Sequence, residues 1–219
     1  MPTTQRKTPI KTLTTIEHIM ARYTGPKSKI ERKYNEPILG SGKTLAKKNY
    51  RPGQHGTKRA RISEYGTQLR DKQKVKYIYG LLEKQFKIYF KRAAAKTGDT
   101  GHILIQQLEQ RFDNVTYRLG LAPTRRAARQ LVTHKHLQVN GNPVNIPSYT
   151  IQPGDTITLQ TKSQKFIAQQ ANTENITKKY PWLTWNSKEM KGTFNEIPSR
   201  EQIPEKINEQ SIIELYSKS

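Results

Sequence analysis

Residues 108–159 leave the chain little choice of fold. At about 100° per residue, Leu108, Phe112, Val115 and Leu119 fall in one narrow stripe, so the spacing predicts a helix with an apolar seam flanked by Arg111 and Arg118. Gly120 ends that helix, where a left-handed residue costs glycine little. Thr124 offers a side-chain oxygen to the free amides of a second helix beginning at Arg125. On this second helix Arg125, Arg126 and Arg129 share one side, and Ala127, Ala128, Leu131 and Val132 the other. Leu137 and Val139 then alternate as in a strand, Asn140-Gly141 is a strong turn pair, and Val144 and Ile146 predict a second strand. Pro153-Gly154-Asp155 marks another turn before Ile157 and Leu159. Two short helices therefore run into a small sheet, and the class is α+β.

The arginines of the second helix suit phosphate. A planar guanidinium grips two oxygens at once, and a helix N-terminus adds free amides and partial positive charge. Taken alone, three such arginines fit a solvated helix face equally well. Charge shifts the balance: 39 Lys+Arg stand against 17 Asp+Glu, a net +22 in 219 residues, which implies a polyanionic partner more than a small substrate. The excess is uneven, with 14 basic and 3 acidic residues in 1–60 but 7 of each in 171–219. The partner is thus expected along the first three quarters.

With 33% hydrophobic residues, one or two small cores are affordable, and the N-terminal quarter is expected to depend on its partner for order. No run approaches the roughly 20 apolar residues of a membrane span, and residues 1–19 lack the apolar centre of a secretory signal, so the protein is expected to stay inside the cell. The chain has no cysteine, which excludes disulfides and cysteine-ligated zinc or redox centres.

Residues 67–96 carry a long helical pattern. Val75, Ile78, Tyr79, Leu82, Phe86, Tyr89, Phe90 and Ala93 fall within about 120° of arc, while Arg70, Lys74, Lys76, Lys84, Lys87, Lys91 and Arg92 mostly face away. Gly80 inside it costs about 1 kcal/mol against alanine and leaves room for a break. Before this pattern stands a Pro/Gly-punctuated basic loop, NYRPGQHGTKRARISEYG, at 49–66. Its Arg51, His55, Lys58, Arg59 and Arg61 suit a nucleic-acid backbone, with Gly53 and Gly56 allowing close approach. No carboxylate or nucleophile pattern surrounds His55, which argues against catalysis there.

The helix pair with TRRAARQLV, the VNG hairpin, VNIPSY and PGD resemble the RNA-binding module named after small ribosomal subunit protein four, here the S-four module. That module also occurs in pseudouridine synthases, some aminoacyl-tRNA synthetases and a heat-shock ribosome-binding protein. The flanks narrow the choice. MARYTGPK at 20–27, RPGQHG at 51–56, EYGTQLRDKQKVKYIYG at 64–80, the module, and WLTWNSKEMKGTFNEIPSREQIPEKINEQSIIELYSK at 182–218 come in the order of the bacterial-type small ribosomal subunit protein four family. The chain resembles that family over residues 20–218.

The resemblance implies a primary binder of small-subunit rRNA that docks at a helix junction of the 5′ domain and nucleates assembly of that domain. It also implies small ribosomal subunit protein five and other small-subunit proteins near the mRNA entrance as partners, with a contribution to translational accuracy. The location implied is the cytoplasmic ribosome, an organellar one being left open; no membrane, cofactor or enzymatic activity is implied. The residues expected to meet RNA are Arg22, Lys27, Arg51, His55, Lys58, Arg59, Arg61, Arg70, Lys74, Lys76, Arg111, Arg118, Arg125, Arg126, Arg129, His134, Lys135 and Asn140.

Two departures stand out. Many family members carry a four-cysteine zinc knuckle where this chain has KSKIERKYNEPILGSGKTLAKK, so no zinc is expected. Where the family often has His-Gly-His after the second module helix, this chain has His134-Lys135-His136. Lys135 adds charge but removes the flexible residue, which raises the question of the turn's geometry. Without further ligands nearby, the two histidines suit a structural or phosphate-facing role better than a metal.

The organisation expected is an α-rich domain of residues 20–107 with 173–219, into which an S-four module of two helices and a small sheet is inserted at 108–172. Residues 1–19 are either a basic arm or untranslated, translation starting at Met20; the second is preferred. Trp182 and Trp185 suggest base stacking, but balanced charge and core-like Ile212, Ile213, Leu215 and Tyr216 favour packing of the tail. Three functions compete: a structural rRNA-binding ribosomal protein, with self-repression compatible; an RNA-modifying enzyme, for which about 50 residues after the module leave no room; and a regulator that binds ribosomes or mRNA without residing in the particle.

Overall fold

A computed structural model describes residues 23–39, 42–58, 61–170 and 176–218. The helices run α1 (Lys27–Tyr34), α2 (Lys43–Lys47), α3 (Glu64–Ile78), α4 (Glu83–Ala94), α5 (Thr100–Glu109), α6 (Phe112–Arg118) and α7 (Arg125–Thr133). Strands β1 (Leu137–Val139), β2 (Asn142–Pro143) and β3 (Thr156–Leu159) follow, then α8 (Thr161–Gln170), α9 (Ile176–Lys179), β4 (Leu183–Asn186), β5 (Lys191–Phe194) and α10 (Glu209–Ser217). The fold is α+β.

Gly80 does break the long helical pattern. It sits at φ +65° between α3 and α4, where the amides of Tyr79, Gly80 and Leu81 turn back to carbonyls of Val75, Tyr77 and Lys76. Both halves nevertheless bury the same stripe: Val75, Ile78, Tyr79, Phe86, Tyr89 and Ala93 lie in one core with Leu104, Leu108 and, from the tail, Ile203 and Ile212. Caps set the starts of the other helices. Ser63 accepts from the Gly66 amide, Asp99 from those of Gly101 and His102, Thr124 from that of Ala127 and Asn208 from that of Ser211.

The seam from Leu108 to Leu119 is not one helix. Arg111 is extended, at φ −65° and ψ 136°, and the chain changes core there: Leu108 belongs to the helical domain, whereas Phe112, Val115 and Leu119 join Leu131, Leu137, Ile157, Trp182 and Phe194 in a second core. The predicted second strand is also shorter than its pattern. β2 pairs only Asn142 and Pro143 with β1, Val144 is half-buried and Ile146 exposed. Prolines at 143 and 147 offer no ladder amide, and the segment beyond serves another purpose, because the carbonyls of Pro147 and Tyr149 accept from the amides of Asp113 and Phe112 at the start of α6. Asn140 and Gly141, at φ 50° and 81°, make the tight turn of the hairpin.

The tail divides. The sheet order is β2-β1-β3-β5-β4, all pairs antiparallel, so residues 183–194 complete the sheet of the module and do not return to the helical domain as the sequence suggested. Only the last part returns, with α10 packed on α3 and α5. Trp182 is buried in the second core, in keeping with packing and not stacking on bases.

Candidate nucleic-acid interface

The cations expected to face RNA fall into three groups. Arg111 and Arg118 are inside the protein, at 1% and 3% exposure, which corrects the picture of two guanidiniums flanking a seam at the surface. Arg111 pairs through Nη2 with Asp113 Oδ2 at 2.7 Å and donates through Nη1 to Tyr89 Oη at 2.8 Å. Arg118 donates to both oxygens of Glu109, at 2.7 and 3.0 Å, and to Glu205 Oε2 at 2.5 Å. A helix seam that passes from one core to the other buries whatever stands beside it, and a buried cation needs a buried partner.

Burial alone would strip Arg118 of its proton more readily, yet the carboxylates of Glu109 and Glu205 hold its affinity for the proton well above the ordinary guanidinium value. The same pairing acts on Glu205: burial pushes its carboxyl up, but Arg118 and Arg125 together bring it below the usual carboxylate value. Tyr79, driven upward by burial and then by Glu109, stays a neutral phenol and donates to Glu109 Oε1 at 2.7 Å. Among the described residues this network ties the helical domain, the module and the tail at one point.

The second group is half-buried and partly spoken for. Arg125 donates to Glu205 Oε1 at 2.7 Å and to Asn114 Oδ1 at 2.9 Å, and lies over the Tyr117 ring at 4.5 Å. Arg129 meets Asp113 at 3.4 Å. The cationic side of α7 is thus turned largely onto the rest of the protein. Arg126 differs, since it donates only to the carbonyl of Tyr23 and has no carboxylate beside it among the described residues. On α3, Arg70 donates to the Lys33 carbonyl, Lys74 pairs with Glu36 at 2.8 Å and Lys76 with Glu83 at 3.2 Å. Asn140 is exposed, but its side chain is engaged within the hairpin, donating to Asp155 and accepting from the Thr156 amide.

The third group is exposed and without a salt bridge among the described residues: Lys27, Arg51, His55, Lys58, Arg61, His134 and Lys135. Arg22 and Arg59 lie outside the described residues. The turn of His134-Lys135-His136 keeps its left-handed form, Lys135 standing at φ 59°, and His136 Nδ1 is 2.7 Å from Ser163 Oγ. The two histidines stack with ring centroids 6.0 Å apart. Among the described residues no group of three or more His, Asp or Glu is placed to hold a metal ion, and no helix is long and apolar enough to cross a membrane.

A groove of about 450 Å³ brings cations of the second and third groups together, between the start of α1 and the start of α7. Lys27, Thr124, Arg126, Ile38, Leu39 and Tyr117 are among the residues that line it. The free amides of the first turn of α7 add partial positive charge there. Sequence reading named Lys27 and Arg126 but missed Glu205, which lies 80 residues beyond Arg125 in a tail of balanced charge, with no spacing to signal it.

Comparison with known proteins agrees with this geometry. Residues 22–109 match the family described as ribosomal protein S4/S9 N-terminal domain, and residues 110–157 match the S4 domain. The change of core at Arg111 falls at that boundary. The small ribosomal subunit protein uS4 of Amoebophilus asiaticus is 59% identical over 201 residues, covering 91% of this chain and 100% of the relative. Those of Porphyromonas gingivalis and Flavobacterium psychrophilum are 56% and 54% identical over 201 residues, with the same coverage.

Proposed function

The chain belongs to the family of small ribosomal subunit protein uS4, and from that premise we propose that it binds small-subunit rRNA directly as a structural constituent of the subunit, and that its binding nucleates assembly of the 5′ domain. It is not an enzyme; the relatives are ribosomal proteins, and the module here serves binding alone. The observation that carries the proposal is the partition of its cations. Those at the junction of the cores are neutralised inside the protein, while Lys27, Arg51, Lys58, Arg61, Arg126 and Lys135 are left without a carboxylate partner among the described residues. A folded RNA supplies the phosphates that such a surface lacks.

The site takes the backbone at the groove between α1 and α7, with Arg51, Lys58 and Arg61 extending the contact. A helix junction suits it, because two domains locked at a fixed angle present cations to more than one RNA helix at once. The same reading includes contact with small ribosomal subunit protein five near the mRNA entrance and, through it, an effect on decoding accuracy, as the resemblance of the sequence implies. The test is sedimentation of a cell extract on a sucrose gradient after a high-salt wash, with mass spectrometry of each fraction. Stoichiometric retention in the small subunit is the expected result. Release into the soluble fractions would overturn residence in the particle and favour a regulator that visits ribosomes or mRNA.

A further inference from the structure

A second groove, of about 500 Å³, lies apart from the module, between α1, the loop residues Arg51 and Ile62, and α3. Its composition is uneven. Lys33, Arg51 and Arg70 line it as cations, Ile62, Leu69 and the Tyr77 ring supply apolar surface, and Gln73 is the one amide among them. No carboxylate lines it. The cations are crowded: burial first, and then the charges of Arg70 and Lys76, push the Lys33 ammonium below its ordinary value. A site that holds like charges together without an acid between them gains from an anion.

The walls are built and do not merely happen to meet. Arg32 fastens the loop to α1 by donating to the carbonyls of Tyr50 and Arg51 at 3.0 and 3.1 Å, with its guanidinium 4.6 Å from the centre of the Tyr50 ring. A Cβ at Gly56 would come within 1.8 Å of the Arg51 carbonyl oxygen, so the loop closes only with glycine there. On α3, Gly66, Arg70, Gln73 and Tyr77 follow at helical spacing and form one face. The Gln73 side chain has no hydrogen-bond partner among the described residues, and its carboxamide both donates and accepts.

We propose that this groove seats one unstacked nucleotide of the rRNA, its phosphate between Lys33 and Arg51, its base against Tyr77 and Ile62, and its edge read by Gln73. The inference rests on the rRNA reading above and deepens it. An acidic peptide would satisfy the cations but not the flat apolar wall or the amide. An RNA duplex would satisfy the cations yet keep its bases stacked away from the ring, whereas a splayed base meets both demands, as in sequence-specific recognition of single-stranded RNA generally.

The test uses the full chain and intact small-subunit rRNA, with binding measured over a series of salt concentrations and base reactivity mapped with and without protein. Gln73→Ala is expected to weaken binding about five-fold and to lose protection at one or two nucleotides, with the rest of the footprint and the salt slope unchanged. Lys33→Gln with Arg51→Gln, neither side chain being salt-bridged among the described residues, is expected to lower the slope by about 0.7–0.9, the share of the one phosphate they hold between them. A footprint and slope identical to wild type in both variants would overturn the seat while leaving rRNA binding intact. Protection lost everywhere in Gln73→Ala would mark a structural role and overturn it too. A wild-type chain that fails to bind the rRNA would overturn the rRNA reading itself, and the seat with it.

Discussion

Glu205 shows how much one side chain can hold. It accepts from Arg118 and Arg125 at once, and so closes the charge balance of a junction in which Arg118 and Glu109 have side-chain exposures of 2% and 0%. Removing one member of a buried set leaves the others uncompensated, so Glu205→Gln is expected to lower stability by about 3 kcal/mol at neutral pH, measured by urea unfolding. The pH dependence has a definite sign. A carboxyl held below its ordinary value contributes stability above that value and loses it as pH falls through the lowered one, so the gap between wild type and Glu205→Gln closes as pH drops below about 4.3. A gap that stays constant down to pH 3 would show that the carboxylate is not what stabilises the junction. Lys135 offers the opposite case. At φ 59° and exposed, it holds a left-handed conformation that costs a side chain about 1 kcal/mol, so Lys135→Gly is expected to raise the unfolding free energy by about 0.5 kcal/mol and to lower RNA affinity only through the lost charge.

At the level of elements, periodicity showed which residues are buried more reliably than where helices end. The stripe of residues 75–93 and the seam of residues 108–119 are buried almost as their spacing requires, because an apolar face must go inward whichever helix carries it. Their breaks were less legible. Gly80 announced itself by residue type, but the break at Arg111 has no glycine or proline; it exists because the carbonyls of Pro147 and Tyr149, more than thirty residues downstream by the numbering, cap the next helix. The same long-range bonding shortened the second strand, and the return of β4 and β5 to the sheet had no local signature to distinguish it from packing elsewhere. The sheet depends on a contact of this kind. A Cβ on Gly192 in β5 would approach Leu119 Cδ1 to 2.9 Å and Trp185 Cε3 to 3.1 Å, so α6 rests on the sheet only where that strand has no side chain. Gly192→Ala is therefore expected to destabilise by about 1–3 kcal/mol through overpacking, read as a lower midpoint in urea with an unchanged slope.

For the whole molecule, the site was legible as charge and not as geometry. Composition points to a polyanion, and the helix beginning at Arg125 reads as a cationic element, but charge in a sequence does not reveal which cations are neutralised from a distant tail. Glu205 diverts Arg125 into tying the module to the tail, and Asp113 engages Arg129 between α6 and α7, while Arg126 is left to the groove with Lys27. A protein of net +22 that uses part of its charge internally separates two roles that a single substitution can tell apart. Arg126→Gln is expected to leave unfolding unchanged and to reduce the slope of log affinity against log salt by about 0.7–0.9, one phosphate contact. Arg125→Gln is expected to lower stability by about 3 kcal/mol by leaving Glu205 short of a partner, with a smaller change in slope. Lys27→Gln should repeat the Arg126 result, and replacing both should add, each removing one proposed phosphate contact. Filter binding at four salt concentrations beside urea unfolding decides the matter: equal slopes for Arg126→Gln and wild type would remove α7 from the RNA face and leave its arginines as a purely internal clamp.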